Sequence, residues 1–559
     1  MTAASLHGRI SGMERLVRRF RWGAPAVLVA AVALAGSISG VRNGFTYDDV
    51  QMIAENVRVH SLAHPWRHFA ETYWPPEKFG GGATLYRPLP VLGFAIQWAL
   101  GGGSPFPFHL ISILLYVVVC LAFFGMALEL LTPPGALLAG ALFAAHPVHV
   151  EAVANVVGQS ELLVNLFALL AVVVFLRGRS EAGLPLGQRL TIYACYALAS
   201  LSKDNGLILP GLLLAAEFTV VRDPRPILTR LVALRTFWSL LLTIGLFLLV
   251  VRITVTGTLA GDFPHILILN ASYGQRLMTM LRVSLDWFRL LLWPAHLQSD
   301  YAPRDFELAR SFGLAQAAGL AMLLAAAWLT VAAWRKRPVV SFGVLWAAVA
   351  ILPVSNLVFR AGILLAERTL FLASAGVMLV VGVVAAALYD RGTSGRRLMA
   401  GLGALLVMLG VVRSALRQPV WKDNATFFAQ EVRDAPDNYH SHWSYGLHLY
   451  GQGLRESAYV EMATAIALYP ADPNLYSDAG NLYRTDGHCD RAIEMYRLAL
   501  KILPDLKYTR SHLASCLMRL GRIAEARGEL RRLVADGHRE FVVLMPAVDS
   551  AAAASGTFQ

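Results

Sequence analysis

Charge is scarce in this chain. Only 15% of its 559 residues are Asp, Glu, Lys or Arg, against about 25% in soluble globular domains, and mean hydropathy is +0.52. That excludes an ordinary soluble fold. The apolar residues, 56% of the chain, fall into repeated runs long enough for a hydrocarbon core of about 30 Å. Cysteine is scarce too. The four present, Cys120, Cys195, Cys489 and Cys516, form no CxxC, which removes support for a zinc-ribbon or thioredoxin-like site. Cys120 and Cys195 lie in apolar runs and read as packing residues. Cys489 and Cys516 lie in a polar region and could pair if it faces an oxidising compartment. No small-residue cleavage pattern follows the first apolar run, "APAVLVAAVALAGSISGV" at 24–41; Arg42 and Asn43 come next. The run therefore reads as a retained helix rather than a signal peptide. The net charge of +12 does not point to nucleic acid. Most of the cations are arginines clustered in short connections between apolar runs, as topogenic signals are.

Composition changes near residue 420. Apolar runs precede it; polar, alanine-rich segments follow, with a period of 34. Gly446, Gly480 and Ala514 keep that spacing, as do Gly453, Gly487 and Gly521, and Ala458, Ala492 and Ala526. Pro470 and Pro504 close successive units. Small residues in this register let paired antiparallel helices approach closely, which is the tetratricopeptide (TPR) pattern. Units are expected at 439–472, 473–506 and 507–540, with Pro436 ending a degenerate cap before them. The fold class expected is all-α: a polytopic membrane bundle over 1–420, a TPR solenoid over 421–545 and a disordered tail over 546–559. Stacked TPR units form a groove suited to a protein partner.

Basic residues orient the membrane part. Arg9, Arg15, Arg18, Arg19 and Arg21 precede the first run, so the N-terminus is expected in the cytoplasm and loop 43–106 outside. The clusters at 177–189, 222–235, 335–337 and 391–397 should also be cytoplasmic. This requires that 86–100 not cross the membrane and lie instead at the outer face. The charged segment 276–293 is read the same way. The remaining runs make eleven spans, near 22–41, 107–131, 134–147, 163–177, 189–202, 206–221, 236–254, 312–334, 339–357, 368–389 and 398–415. The odd count places the TPR units outside.

Polar residues then collect on the outer face. They are Tyr47, Asp48, Asp49 and Arg87 in the first loop, His146, His149, Glu151 and Glu161 in "HPVHVEAVANVVGQSELL", Lys203 and Asp204 in "KDN", and Glu367 and Arg368 in "AERTLF". Ionisable groups at membrane depth are costly and mark functional sites. An Asp can accept a proton from an acceptor hydroxyl, and Arg87, Lys203 and Arg368 can hold a phosphate. Plain structural readings stand beside these. Asp48–Asp49 can be a solvated turn or a helix cap. Arg87, Glu367 and Arg368 can be a structural ion-pair group, and Lys203–Asp204 a pair at a span end. His146 and His149 have a His-x-x-His spacing, but Pro147 lies between them and no third ligand is evident, so no metal is expected.

"FTYDDVQMIAEN", "YRPL", "HPVHVEAVANVVGQSELL", "SKDNGLILP" and "LLAERTLFLAS", followed by TPR units, resemble the TMTC-type membrane proteins. These are related to protein O-mannosyltransferases and to the wider GT-C glycosyltransferases. The resemblance implies a GT-C fold and a polyprenyl-phosphate sugar as donor, with no tightly bound cofactor. It implies sugar transfer with inversion, possible mannose, on the extracytoplasmic face, to a protein or cell-surface glycan. Asp48 and Asp49 match the acidic motif, one of them being the base. Arg87 matches a cation near the donor phosphate, Glu151 and Glu161 a second acidic loop, and Glu367–Arg368 an "AER" element after "LPVSN". Lys203–Asp204 stands where the family often has Lys-Glu, Gly158–Gln159 where it often has Gly-Arg, and there are fewer TPR units. A non-enzymatic membrane-anchored TPR scaffold is the alternative. The expected setting is a bacterial inner membrane with periplasmic TPR units, or an ER membrane with luminal ones.

Overall fold

A computed structural model describes residues 23–75, 84–259, 266–301 and 306–554. Helices account for the regular structure, and no strand occurs among the described residues. The chain divides into two compact units that part between Phe427 and Phe428.

The larger unit is a multi-pass membrane bundle. Its helices are α1 (Gly23–Arg42), α2 (Pro88–Gly101), α3 (Pro105–Leu130), α4 (Pro133–Ala145), α5 (Pro147–Ala154), α6 (Val156–Gly178), α7 (Leu186–Ser202), α8 (Leu209–Thr219) and α9 (Ile227–Ala233). They continue with α10 (Arg235–Thr256), α11 (Tyr273–Leu292), α12 (Leu314–Ala333), α13 (Pro338–Val354), α14 (Glu367–Tyr389) and α15 (Thr393–Trp421). Seven of the described helices, α1, α3, α6, α10, α12, α14 and α15, are long and apolar enough to span a bilayer. An eighth is possible if α4 and α5, bent by 47° at Pro147, count as one. The proline removes a helical donor and His146 caps the new start by accepting from Val148 N, so the expected run 134–147 is interrupted at its end.

Two shorter helices also run between the ends of the bundle. Lys203, just after α7, pairs with Glu161 at the start of α6, and Glu217 in α8 pairs with Arg179 beyond its end. Helix α2, with 14 residues, is shorter than those seven. Arg87 immediately precedes its first turn, and Trp98 near its other end stacks on His60 of the first loop at 3.6 Å. Helix α11 is amphipathic, with Asp286 bonded to Arg282 and Arg289 on one face, as expected of 276–293. Close helix approach depends on two glycines of α14: a Cβ at Gly376 would collide with Gly343 O of α13, and one at Gly382 with Leu131 and Gly135.

The smaller unit consists of helix pairs. They are α17 (Tyr439–Gly451) with α18 (Arg455–Leu468), α19 (Pro473–Thr485) with α20 (Cys489–Ile502), and α21 (Lys507–Arg519) with α22 (Ile523–Ala535). Before them, α16 spans Asn424–Asp434 and passes from one unit to the other. The 34-residue period has a local cause. Gly453, Gly487 and Gly521 end the first helix of each pair at φ +80°, +84° and +73°, where a side chain is disfavoured. The expected disordered tail is corrected over its first part: Met545–Ala554 is helical, with Val548 buried against Leu530 and Phe541, while 555–559 lie outside the described residues.

Candidate functional site

The first loop delivers its acids on a short turn after α1. Asp49 faces inward and is fully buried. Its carboxylate accepts Val157 N at 2.9 Å and Val156 N at 3.1 Å, with Thr46 N at 3.5 Å. Burial pushes its pKa up to about 8, against the pull of these backbone donors. Asp49 thus ties the first loop to the start of α6. Asp48, the next residue back, is half-buried and points elsewhere. No described residue hydrogen-bonds its carboxyl. Its pKa rises to about 6, chiefly through burial; Arg368 and Arg87 oppose the rise and Glu151 adds to it.

The cations around Asp48 differ in what they already hold. Arg368 donates to Glu151 through both its guanidinium and its backbone N–H, the latter at 2.9 Å, and its side chain stays 30% exposed. Lys203 is buried and paired with Glu161. Arg87 lies over the Tyr73 ring at 4.9 Å, and its Nε is buried with no hydrogen-bond partner among the described residues. Arg87, Lys203 and Arg368 all lie within electrostatic reach of one another or of Asp48. Asp48, Arg87, Glu151, Glu161, Lys203 and Arg368 therefore form one cluster.

Other expected residues serve as supports. Asp204 accepts from Arg252 Nε at 2.9 Å, and Arg252 also donates to Thr84 O at 3.2 Å, fixing the approach to Arg87. Glu367 is buried and accepts Gln298 N at 2.6 Å and the Tyr301 hydroxyl at 3.3 Å. Tyr47 sits at φ 56°, and burial raises its phenol pKa well above the usual value. The reading of His146 and His149 as outer-face site residues is corrected. His146 bonds Leu291 O at 3.1 Å, and His149 lies in the core between the Tyr116 hydroxyl at 3.1 Å and Ser374 Oγ at 2.8 Å. Both rings are consumed by packing, and the described residues hold no cluster of three or more metal-ligating side chains.

Sequence reasoning missed Tyr73, Arg252, Asp300 and Tyr301. Tyr73 carries Arg87 on its face, and Asp300 acts electrostatically on Tyr47. Asp300 and Tyr301 stand in the polar stretch "SDYAPRDFE", and Arg252, a charge inside the apolar run of α10, was the clearest available signal.

No family model matches the chain. Among curated proteins it is similar to the protein O-mannosyl-transferase F38B6.6 of Caenorhabditis elegans, 24% identical over 472 residues, covering 83% of this chain and 64% of that protein. It is also similar to the human protein O-mannosyl-transferase TMTC4, 27% identical over 484 residues, covering 77% and 64%. The chain thus spans just under two thirds of the length of these relatives. Among solved structures, an oligosaccharyltransferase of Archaeoglobus fulgidus aligns with 73% of this chain and 55% of its own, at 13% identity and a TM-score of 0.42.

Proposed function

From the similarity to protein O-mannosyl-transferases and the cluster around Asp48, we propose that this chain is a GT-C-type membrane mannosyltransferase. It takes mannose from a polyprenyl-phosphate donor and transfers it to a hydroxyl of a protein acceptor. Asp48 takes the proton of that hydroxyl as its oxygen attacks the anomeric carbon. The bond from that carbon to the phosphate breaks, and the electron pair leaves with the phosphate. Attack opposite the leaving group inverts the anomeric configuration. Arg87 binds the phosphate and meets the charge that grows on it; Arg368 and Lys203 add to the field, already partly neutralised by Glu151 and Glu161. A phosphate so neutralised needs no metal to leave. A base with a pKa of about 6 is suited to proton transfer near neutral pH.

One observation carries the reading. In a cluster where the other carboxylates and cations are paired, Asp48 and Arg87 keep free capacity for a ligand. Asp49 in contrast is a structural anchor, which assigns the base role to Asp48.

Orientation follows from charge. Arg177, Arg179, Arg225 and Arg230 collect at the end of α6 opposite the cluster. By the positive-inside rule that end is cytoplasmic and the cluster extracytoplasmic. Residues 43–47 bond to residues 418–424, so the chain leaves the membrane on the cluster's side. The helical repeats, read as TPR units, then recruit the acceptor or a partner protein on that side, periplasmic in a bacterial inner membrane.

The test is transfer by the purified protein in lipid nanodiscs, with labelled polyprenyl-phosphate mannose or glucose and a periplasmic protein extract. Mannose label on protein, released by β-elimination, supports the reading. Label confined to glycan or lipid rejects the protein acceptor, and the absence of transfer from any donor rejects the enzyme.

A further inference from the structure

The turn that presents Asp48 is held by a segment almost four hundred residues away in sequence. Asn43 Nδ2 donates to Gln418 O at 3.0 Å, Gly44 N to Lys422 O at 2.7 Å, and Thr46 Oγ1 to Trp421 O at 3.0 Å. The last contact is of another kind. Tyr47 N donates to the side-chain Oδ1 of Asn424 at 2.7 Å. Tyr47 is one of two described non-glycine residues at positive φ, 56°. A residue bearing a Cβ keeps that conformation only when its surroundings impose it. Here they do so from two sides. Asn424 holds the N–H, and the Tyr47 ring lies against Phe427 with centroids 5.3 Å apart. Phe427 in turn packs on Trp421 at 4.6 Å, and both are almost fully buried.

Asp48 has no hydrogen bond of its own to fix its carboxyl. Its position follows from the backbone on either side. After it, Asp49 is tied to Val156 and Val157. Before it, Tyr47 is tied to Asn424. We propose that Gln418–Phe427 is a strap that positions Asp48, and that Asn424 is its decisive positioning residue. The role assigned to Asp48 rests on the function proposed above; the strap itself does not. Three of the four contacts use backbone carbonyls that every residue has, whereas the Tyr47 contact depends on one side chain and can be removed alone. The strap is also the stretch through which the chain enters α16 and the helical repeats. A pull on that helix would reach Tyr47, the residue before the base, through Asn424 and Phe427.

The test compares wild type with Asn424→Ala and Asn424→Asp at pH 8, where Asp48 is ionised in all three. The Asp variant retains an oxygen to accept the Tyr47 N–H. Two readouts are taken on full-length protein in nanodiscs: transfer kinetics, and hydrogen–deuterium exchange of the peptide covering 43–49. Asn424→Ala should lose about tenfold or more in kcat with donor KM within about twofold, and its 43–49 peptide should exchange faster. Asn424→Asp should restore both readouts to near wild type. Wild-type kcat and exchange in Asn424→Ala would overturn the strap, as would equal impairment in the Ala and Asp variants. If Asn424→Ala does not yield folded protein, Asn424→Gln takes its place, with the same loss expected and wild-type behaviour again overturning the proposal. If wild type itself transfers no mannose, the proposed function fails, and the exchange comparison alone decides the strap.

Discussion

Two clusters of charged residues stand at opposite ends of α6, and they differ in one respect. Glu161 and Arg179 mark the ends, eighteen positions or about 27 Å apart along a helix. At the Arg179 end the buried charges are paired. Glu217 receives Arg179 Nη2 and Arg230 Nε, both at 2.8 Å, and Asp223 receives Arg179 at 3.0 Å and Arg225 at 2.6 Å. The hydrogen bonds from Arg225 hold Asp223 well below the usual carboxylate range. At the other end Asp48 is pushed the opposite way, to about 6, and Arg87 keeps an unpaired Nε. The same residue types are used at both faces. Where they satisfy one another they clamp helices together; where one acid and one cation are left over, a ligand can complete the set. On the proposed function, pairing rather than the presence of charge separates the structural cluster from the reactive one.

This difference can be broken from either side. The largest effect on stability should come from Glu217→Gln, which leaves Arg179 and Arg230 facing each other across a buried gap. Removing one member of a buried ionic group costs about 3–5 kcal/mol. The variant should show a strong fall in melting temperature and yield, with unchanged kcat in whatever protein folds. At the other end, Arg87→Met should leave the melting temperature close to wild type. It should raise the donor KM or lower kcat by about tenfold to a hundredfold, the value of one charge-assisted contact to a phosphate. The effects should not exchange places.

Smaller shifts sharpen the comparison through pH. Asp48 acts as a base only when ionised, so kcat should rise with pH and level off above about 6. Glu151 raises that pKa and Arg87 lowers it. Glu151→Gln should therefore move the acidic limb to lower pH, and Arg87→Met should move it higher. The smallest expected effect is at His149. Its Ser374 partner lies in the core, so Ser374→Ala should alter stability modestly, about 1 kcal/mol for one neutral hydrogen bond, and leave the pH profile in place.

The membership of the charged cluster around Asp48 could be read from sequence. Asp48, Arg87, Glu151, Glu161, Lys203 and Arg368 are charges at the ends of apolar runs, and membrane depth makes such residues few. Their division of labour could not be read. Asp48 and Asp49 are chemically identical, and only the backbone amides of Val156 and Val157, more than a hundred residues on, tie one of them down and leave the other open. Asn424 gave no signal in the sequence because its partner is a main-chain N–H, which nearly every residue carries. The histidine pair was counted with the site because its segment falls on the outer face, and that placement does not say which way rings point after a proline bend. Helices α7 and α8 coincide with the apolar runs at 189–202 and 206–221, although neither meets the length and apolarity of a solitary span.

The most direct test of the account is Asp48→Asn, assayed for mannose transfer and for thermal unfolding in the same nanodisc preparation. Loss of kcat by about a hundredfold or more, the range for removing a general base, with an unchanged unfolding temperature and donor KM, is the predicted result. Transfer at the wild-type rate by folded Asp48→Asn protein would contradict it.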